Sequence, residues 1–280
     1  MILLHVAAAA LYALTVGALW PQPAPATAGG VPAASRAAWG FWLLPAALVL
    51  HAWAVVLDTA TAQGLDFSLL NAISVVGALL AAVAWVSGLL RTVPAIAAII
   101  LPVAATAVLL PALLPHLSPA LFANPHRFAY GDESLAALHV AVALVSYAMF
   151  LVAAVLAAVV MSLEKRLRHS LPDPAASAVP PLLTLERFLF RLVTIGFVLL
   201  TVTLASGMLF TEQLFGKPLT FTHKSVFSVL GWLTFGALLW GRWRYGWRGR
   251  VALRWIIAGS VFVFLAYLGS KFVLEVLLGR

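Results

Sequence analysis

The chain has 280 residues, of which 64% are hydrophobic and only 9% charged, against about 25% charged in a soluble domain. With a mean hydropathy of +1.06, water cannot solvate its surface, which excludes a soluble enzyme and leaves lipid as the solvent. There is no cysteine, so disulfides, thiolate metal sites, Fe–S clusters and a thiol nucleophile are excluded, and the net charge is +8.

Backbone polar groups must be satisfied internally in hydrocarbon, so the spans are helices or a closed barrel. The long apolar runs lack the period-2 alternation of barrel strands. They predict an all-α integral membrane protein, a single polytopic domain over 1–280. The eight spans fall at about 2–20, 38–57, 67–90, 93–114, 135–163, 187–211, 223–241 and 251–277.

The first span is followed by Pro21, Pro23, Pro25 and then Ala26-Thr27-Ala28, which has the form of a signal cleavage site. A secretory signal also needs a positive n-region. No Lys or Arg precedes Leu11, so the first span is expected to stay. In the fourth span Pro94 and Pro102 predict a kink or a helix start. In the sixth, Gly196, Thr203 and Gly207 share one face, suited to close helix packing. Thr184 is expected to cap that helix, with Glu186 in its first turn.

Orientation follows from the basic residues. Arg36, Arg91, Lys165, Arg166, Arg168, Arg187, Arg191, Arg242, Arg244, Arg248, Arg250 and Arg254 lie on one side of the membrane. The other side holds Arg127, Lys217, Lys224, Lys271 and Arg280. The positive-inside rule places the first set in the cytoplasm and both termini outside. The run Trp240–Arg250 reads as a tight cytoplasmic turn whose aromatics suit the interface and whose arginines suit anionic headgroups; no nucleic-acid partner is expected.

Histidine is the informative residue. His169 falls in a basic loop, and His116 and His126 in an external one. His5, His51, His139 and His223 come from four spans and reach a similar depth in the outer half of the membrane. Ionisable groups inside spans are costly and face the bundle interior. His51, Val55 and Asp58 share a helix face, as do His139, Ala143 and Ser146, with Tyr147 beside them. Asn71 and Ser74 add a polar stripe on the third span. Three readings of these residues stand side by side: interhelical hydrogen bonding alone, haem ligation, and metal or proton handling. No catalytic triad, carboxylate pair, phosphate loop or HExxH pattern is present, so no enzymatic activity is expected.

Several segments stand out in order: Phe67-Ser68-Leu69-Leu70-Asn71, the surroundings of His139 with Ser146-Tyr147, and Pro180-Pro181-Leu182-Leu183-Thr184-Leu185-Glu186-Arg187. Thr222-His223-Lys224-Ser225, Gly246-Trp247-Arg248-Gly249-Arg250 and Ala266-Tyr267-Leu268-Gly269-Ser270 follow. Together they resemble the cytochrome c assembly (CcsA/ResC-type) membrane protein family, and most closely its shorter HemX- or YpjD-like branch. The resemblance implies a multi-pass protein of the bacterial inner (plasma) membrane that handles a non-covalent, b-type haem. Its partners would be cytochrome c maturation proteins or regulators of haem synthesis. It implies that His51, His139 and His223 supply haem ligands, any two at once, with His5 carrying less weight. Asp58, Asn71, Ser146 and Tyr147 would be supporting partners of the site. The rival expectation is a secondary transporter or divalent-cation accessory protein using the same histidines. The sequence departs from the full-length assembly proteins at Phe221-Thr222-His223-Lys224, where theirs carries a Trp-Asp-Pro-Lys-like stretch after a Trp-rich motif.

Overall fold

In a computed structural model, the described residues are 2–19, 33–61, 64–89, 96–118, 129–130, 134–168, 182–209 and 223–277. Ala26-Thr27-Ala28, Pro94, His126, His169, Pro180-Pro181 and Phe221-Thr222 lie outside them. Eight helices among the described residues are long and apolar enough to cross a membrane. They are α1 (Ile2–Leu19), α2 (Ala33–Thr59), α3 (Leu69–Leu89), α4 (Ile96–Leu117), α5 (Ser134–Arg168), α6 (Leu182–Leu209), α7 (His223–Tyr245) and α8 (Gly249–Phe264). A π turn at Leu265–Gly269, a short α segment at Ser270–Phe272 and a second π turn at Val273–Leu277 continue α8. The all-α membrane architecture expected from the sequence is therefore found.

The ends of the helices differ somewhat from the expected spans. At 1.5 Å per residue α1 is about 27 Å long, close to a hydrocarbon core, whereas α5 reaches about 52 Å. The excess of α5 carries Lys165, Arg166 and Arg168 beyond the apolar run. Helix α6 is already helical at Leu182, so Thr184 lies within its first turn and not at a cap. Pro102 sits inside α4, together with Pro111 and Pro115. Three short strands escaped the sequence reading: Ala60–Thr61, Gly64–Asp66 and Ala129–Tyr130 pair antiparallel in that order. Two or three residues are too few to leave a period-2 signature.

The helices pack as two groups of four. In the first, α1 lies against α2 and α4, and α3 against α2 and α4; in the second, α5 lies against α6 and α8, and α7 against α6 and α8. Contact between α3 and α5 joins the groups. Close approach uses small residues, as expected where lipid is as apolar as the core. A Cβ on Gly77 would collide with the Ala107 Cβ, so the glycine brings α3 hard against α4. Gly196 receives the Phe150 ring of α5, so part of the expected small-residue face does pack as predicted. The Phe150 and Phe235 rings stack with centroids 3.9 Å apart, and Ser260 Oγ donates to the Phe150 carbonyl at 3.1 Å. Residues facing outward, such as Leu3, Val49 and Leu209, are exposed and apolar, as a lipid-facing surface must be.

The link between α7 and α8 is Gly246-Trp247-Arg248. Gly246 takes φ +67°, a conformation side chains disfavour, and its N–H donates to the Arg242 carbonyl at 3.0 Å. This left-handed cap ends α7 within one residue. At this end of the bundle Arg242 donates to Glu186 at 2.8 Å and lies 3.6 Å from the centroid of the Phe190 ring.

Candidate functional site

The opposite end of the bundle carries the polar residues. It is formed by the starts of α1, α3, α5 and α7 and the ends of α2, α4, α6 and α8. The histidines expected to gather there divide between the two helix groups.

In the first group His5 is buried in α1 and donates from Nε2 to Asp58 Oδ2 of α2 at 2.8 Å. Two turns further along α1, the Tyr12 hydroxyl lies 3.1 Å from His51 Nδ1. The other His51 nitrogen, Nε2, lies 3.1 Å from Ser74 Oγ of α3. His51 is fully buried. A neutral imidazole has one donor and one acceptor nitrogen, so one hydroxyl gives it a proton and the other accepts one. Asn71 does not touch an imidazole: its Nδ2 donates to the carbonyls of Asp58 and Asp66, at 3.1 and 3.2 Å. That amide ties the end of α2 to the start of α3, while Asp66 Oδ1 accepts from the Ser68 N–H.

In the second group His139 of α5 is half-buried. Its Nδ1 lies 2.8 Å from Ser206 Oγ of α6. The Ser206 hydroxyl donates its own proton to the Thr203 carbonyl at 3.1 Å, so towards His139 it acts as acceptor. His139 is thereby set as the Nδ1–H tautomer, with the ring lone pair on Nε2. A Cβ on Gly207 would stand 3.3 Å from His139 Cε1, so this glycine gives the ring its room. His223 opens α7 and is exposed. Ser146 donates to the Gly196 carbonyl at 2.9 Å, a packing contact between α5 and α6. Tyr147 packs against Tyr267, with centroids 5.5 Å apart.

The sequence reading missed several members of this end. Tyr12 lies seven residues after His5, on the same helix face, and that spacing was the available signal. Ser206 sits beside Gly207, which was singled out. Lys271 is a cation in an otherwise apolar run, and it is buried, donating from Nζ to the Phe67 carbonyl. This bond ties the end of the second helix group to the first. Among the described residues, no three of His, Cys, Asp and Glu converge as a metal-binding group.

The family model for cytochrome C assembly protein matches residues 41–278. The chain is 34% identical over 140 residues to the inner membrane protein YpjD of Escherichia coli strain K12, covering 50% of this chain and 52% of that one. It is 35% identical over 142 residues to a 28.8 kDa protein of Azospirillum brasilense, covering 51% and 52%. It is 32% identical over 92 residues to the cytochrome c biogenesis protein CcsA of Gloeobacter violaceus, covering 33% and 27%. The matched region spans about half the length of the first of these relatives. No solved structure matches. The resemblance read from the sequence motifs is thus borne out, and the chain belongs to the cytochrome C assembly protein family.

Proposed function

We propose that this chain is a haem-handling protein of the bacterial inner membrane, acting in or beside cytochrome c assembly. The observation that carries the reading is His139. Its Nδ1–H is held by Ser206, which leaves the lone pair on Nε2. A metal-ligating histidine has this arrangement, with one nitrogen hydrogen-bonded and the other directed at the metal. In a chain with no cysteine, imidazoles are the side chains that would hold haem iron. Haem held there would supply redox-active coordination chemistry.

The residues fit the group unequally. His139, held by Ser206 through Nδ1, would be one ligand. His223, exposed at the start of α7, is the second. His51 has hydroxyls on both nitrogens, so ligation there requires exchange of Ser74 or Tyr12 for iron. His5, buried where α1 meets α2, donates to Asp58 and holds that contact. The chain binds and orients haem and catalyses no covalent step itself. The maturation proteins it would serve are its partners, and its Arg-rich end faces the cytoplasm.

The test is the visible spectrum of the protein purified in mild detergent, oxidised and reduced. A Soret band with sharp reduced bands, lost in His139→Ala and weakened in His223→Ala, is the expected result. A colourless protein that takes up no added haem sinks the reading. Metal analysis of the same sample tests the rival, a divalent-cation accessory protein using the same histidines.

A further inference from the structure

Helix α6 meets the His139 ring with two consecutive residues. Ser206 Oγ lies 2.8 Å from Nδ1, and a Cβ on Gly207 would stand 3.3 Å from Cε1 and 4.0 Å from Nε2. Nδ1, Cε1 and Nε2 follow one another around the imidazole. This edge of the ring therefore runs along α6 from residue 206 to residue 207.

Gly207 differs from the glycines that pack helices. A Cβ on Gly196 would meet Phe150 and Met149, one on Gly77 would meet Ala107, and one on Gly259 would meet Phe235. On Gly207, apart from its own helix backbone and chain neighbours, the described atoms within 4 Å all belong to His139. Glycine is also among the poorest residues for a helix, and Gly207 lies within α6. Alanine would serve that helix better, and the group an added methyl would disturb is the imidazole. A contact of 3.3 Å is tighter than most real ones, so the ring would have to give by a few tenths of an ångström. It would do so while Ser206 holds its Nδ1, so the movement is a turn of the ring that strains this hydrogen bond.

We propose that Gly207 is a positioning residue for haem, acting through His139: Ser206 sets the tautomer of the ring, and Gly207 sets its rotation, so that Nε2 is presented in one orientation. The proposal rests on the haem reading above. Groups that orient a ligating imidazole and tune its basicity govern the metal without touching it.

The test begins without haem, on the full chain in mild detergent. Gly207→Ala is introduced into the wild type and into His139→Ala, and thermal unfolding is followed for each protein. The substitution should lower the midpoint in the wild type. In His139→Ala it should leave the midpoint equal or higher, because there the helix preference of alanine acts alone. An equal loss in both backgrounds would assign Gly207 to helix packing and overturn the proposal. The second arm adds haem. Gly207→Ala should still take it up, with shifted g-values in the low-spin ferric electron paramagnetic resonance spectrum, since the rotation of the ligand has changed and not its identity. Ser206→Ala should raise the reduction potential by removing the hydrogen bond that makes the imidazole a stronger donor, and Ser206→Thr should restore it. Gly17→Ala, which meets nothing within 4 Å, should match the wild type in both arms. Haem bound through His139 with the same g-values in wild type and Gly207→Ala would overturn the proposal and leave the haem reading standing. A wild type that takes up no haem would overturn the haem reading and the role of Gly207 towards it, while the unfolding cycle would still decide whether Gly207 holds the ring.

Discussion

His5 and Asp58 lie 2.8 Å apart across the α1–α2 contact, one buried to 1% exposure and the other at 15%. This pair fastens the first helix to the second at the polar end, and its removal has an asymmetric cost. Asp58→Ala leaves the buried imidazole without its acceptor, worth about 1–3 kcal/mol. Asp58→Asn keeps an acceptor oxygen and is expected to cost less. Thermal unfolding in detergent, followed by helical circular dichroism, should rank wild type above Asp58→Asn above Asp58→Ala. Equal midpoints for the two variants would mean that the pair does not hold α1.

Tyr12 and Ser74 clamp His51 from two helices, at 3.1 Å each. Tyr12→Phe and Ser74→Ala each remove one hydrogen bond to a buried nitrogen, with an expected cost of about 1 kcal/mol. The two share one imidazole, so their effects should not add, and a double-mutant cycle reads the coupling. If His51 ligates iron, freeing it in Ser74→Ala should strengthen haem uptake while weakening the fold. Loss of both together would show that Ser74 only supports the packing.

Much of this was legible beforehand. The eight spans follow from runs of apolar residues too long for anything but lipid, and the polar stripe at one end follows from His5, His51 and His139 at matching depths. Which group each imidazole meets was not legible, because Tyr12 and His51 are 39 residues apart and His139 and Ser206 are 67 apart. A helical repeat shows which face a residue occupies and not which helix covers that face. For the same reason the sequence did not show that His51 and His139 belong to different four-helix groups. Asp58 was expected to support one of the candidate imidazoles, and the one it meets is that of His5.

Close packing of α3 on α4 makes Gly77 a sensitive position. A Cβ there would overlap the Ala107 Cβ and lie 3.6 Å from the Ala104 Cα, so relief requires a backbone shift. Gly77→Ala should destabilise by about 1–3 kcal/mol, the usual cost of overpacking. Gly17→Ala meets nothing within 4 Å and serves as the control, with no loss expected. The added methyl at Gly77 would also stand 3.5 Å from His51 Cε1, an ordinary van der Waals contact, so the Tyr12–His51–Ser74 clamp is reached only through the shift of α3 against α4. A Gly77→Ala midpoint equal to that of Gly17→Ala would contradict the packing.

The absence of cysteine makes the orientation testable without a background to remove. Trp243, 81% exposed, marks the Arg-rich end, and Leu117, 73% exposed, marks the polar end. Arginine and lysine flanking the spans favour the cytoplasmic side, because that charge resists translocation. Trp243→Cys should therefore resist a membrane-impermeant maleimide added to whole cells from which the outer membrane has been stripped, and react once the cells are opened. Leu117→Cys should react in both. Neither substitution replaces a histidine, so haem uptake should be unaffected in both variants. The reversed labelling pattern would put His139 and His223 on the cytoplasmic side, and with them any haem they hold.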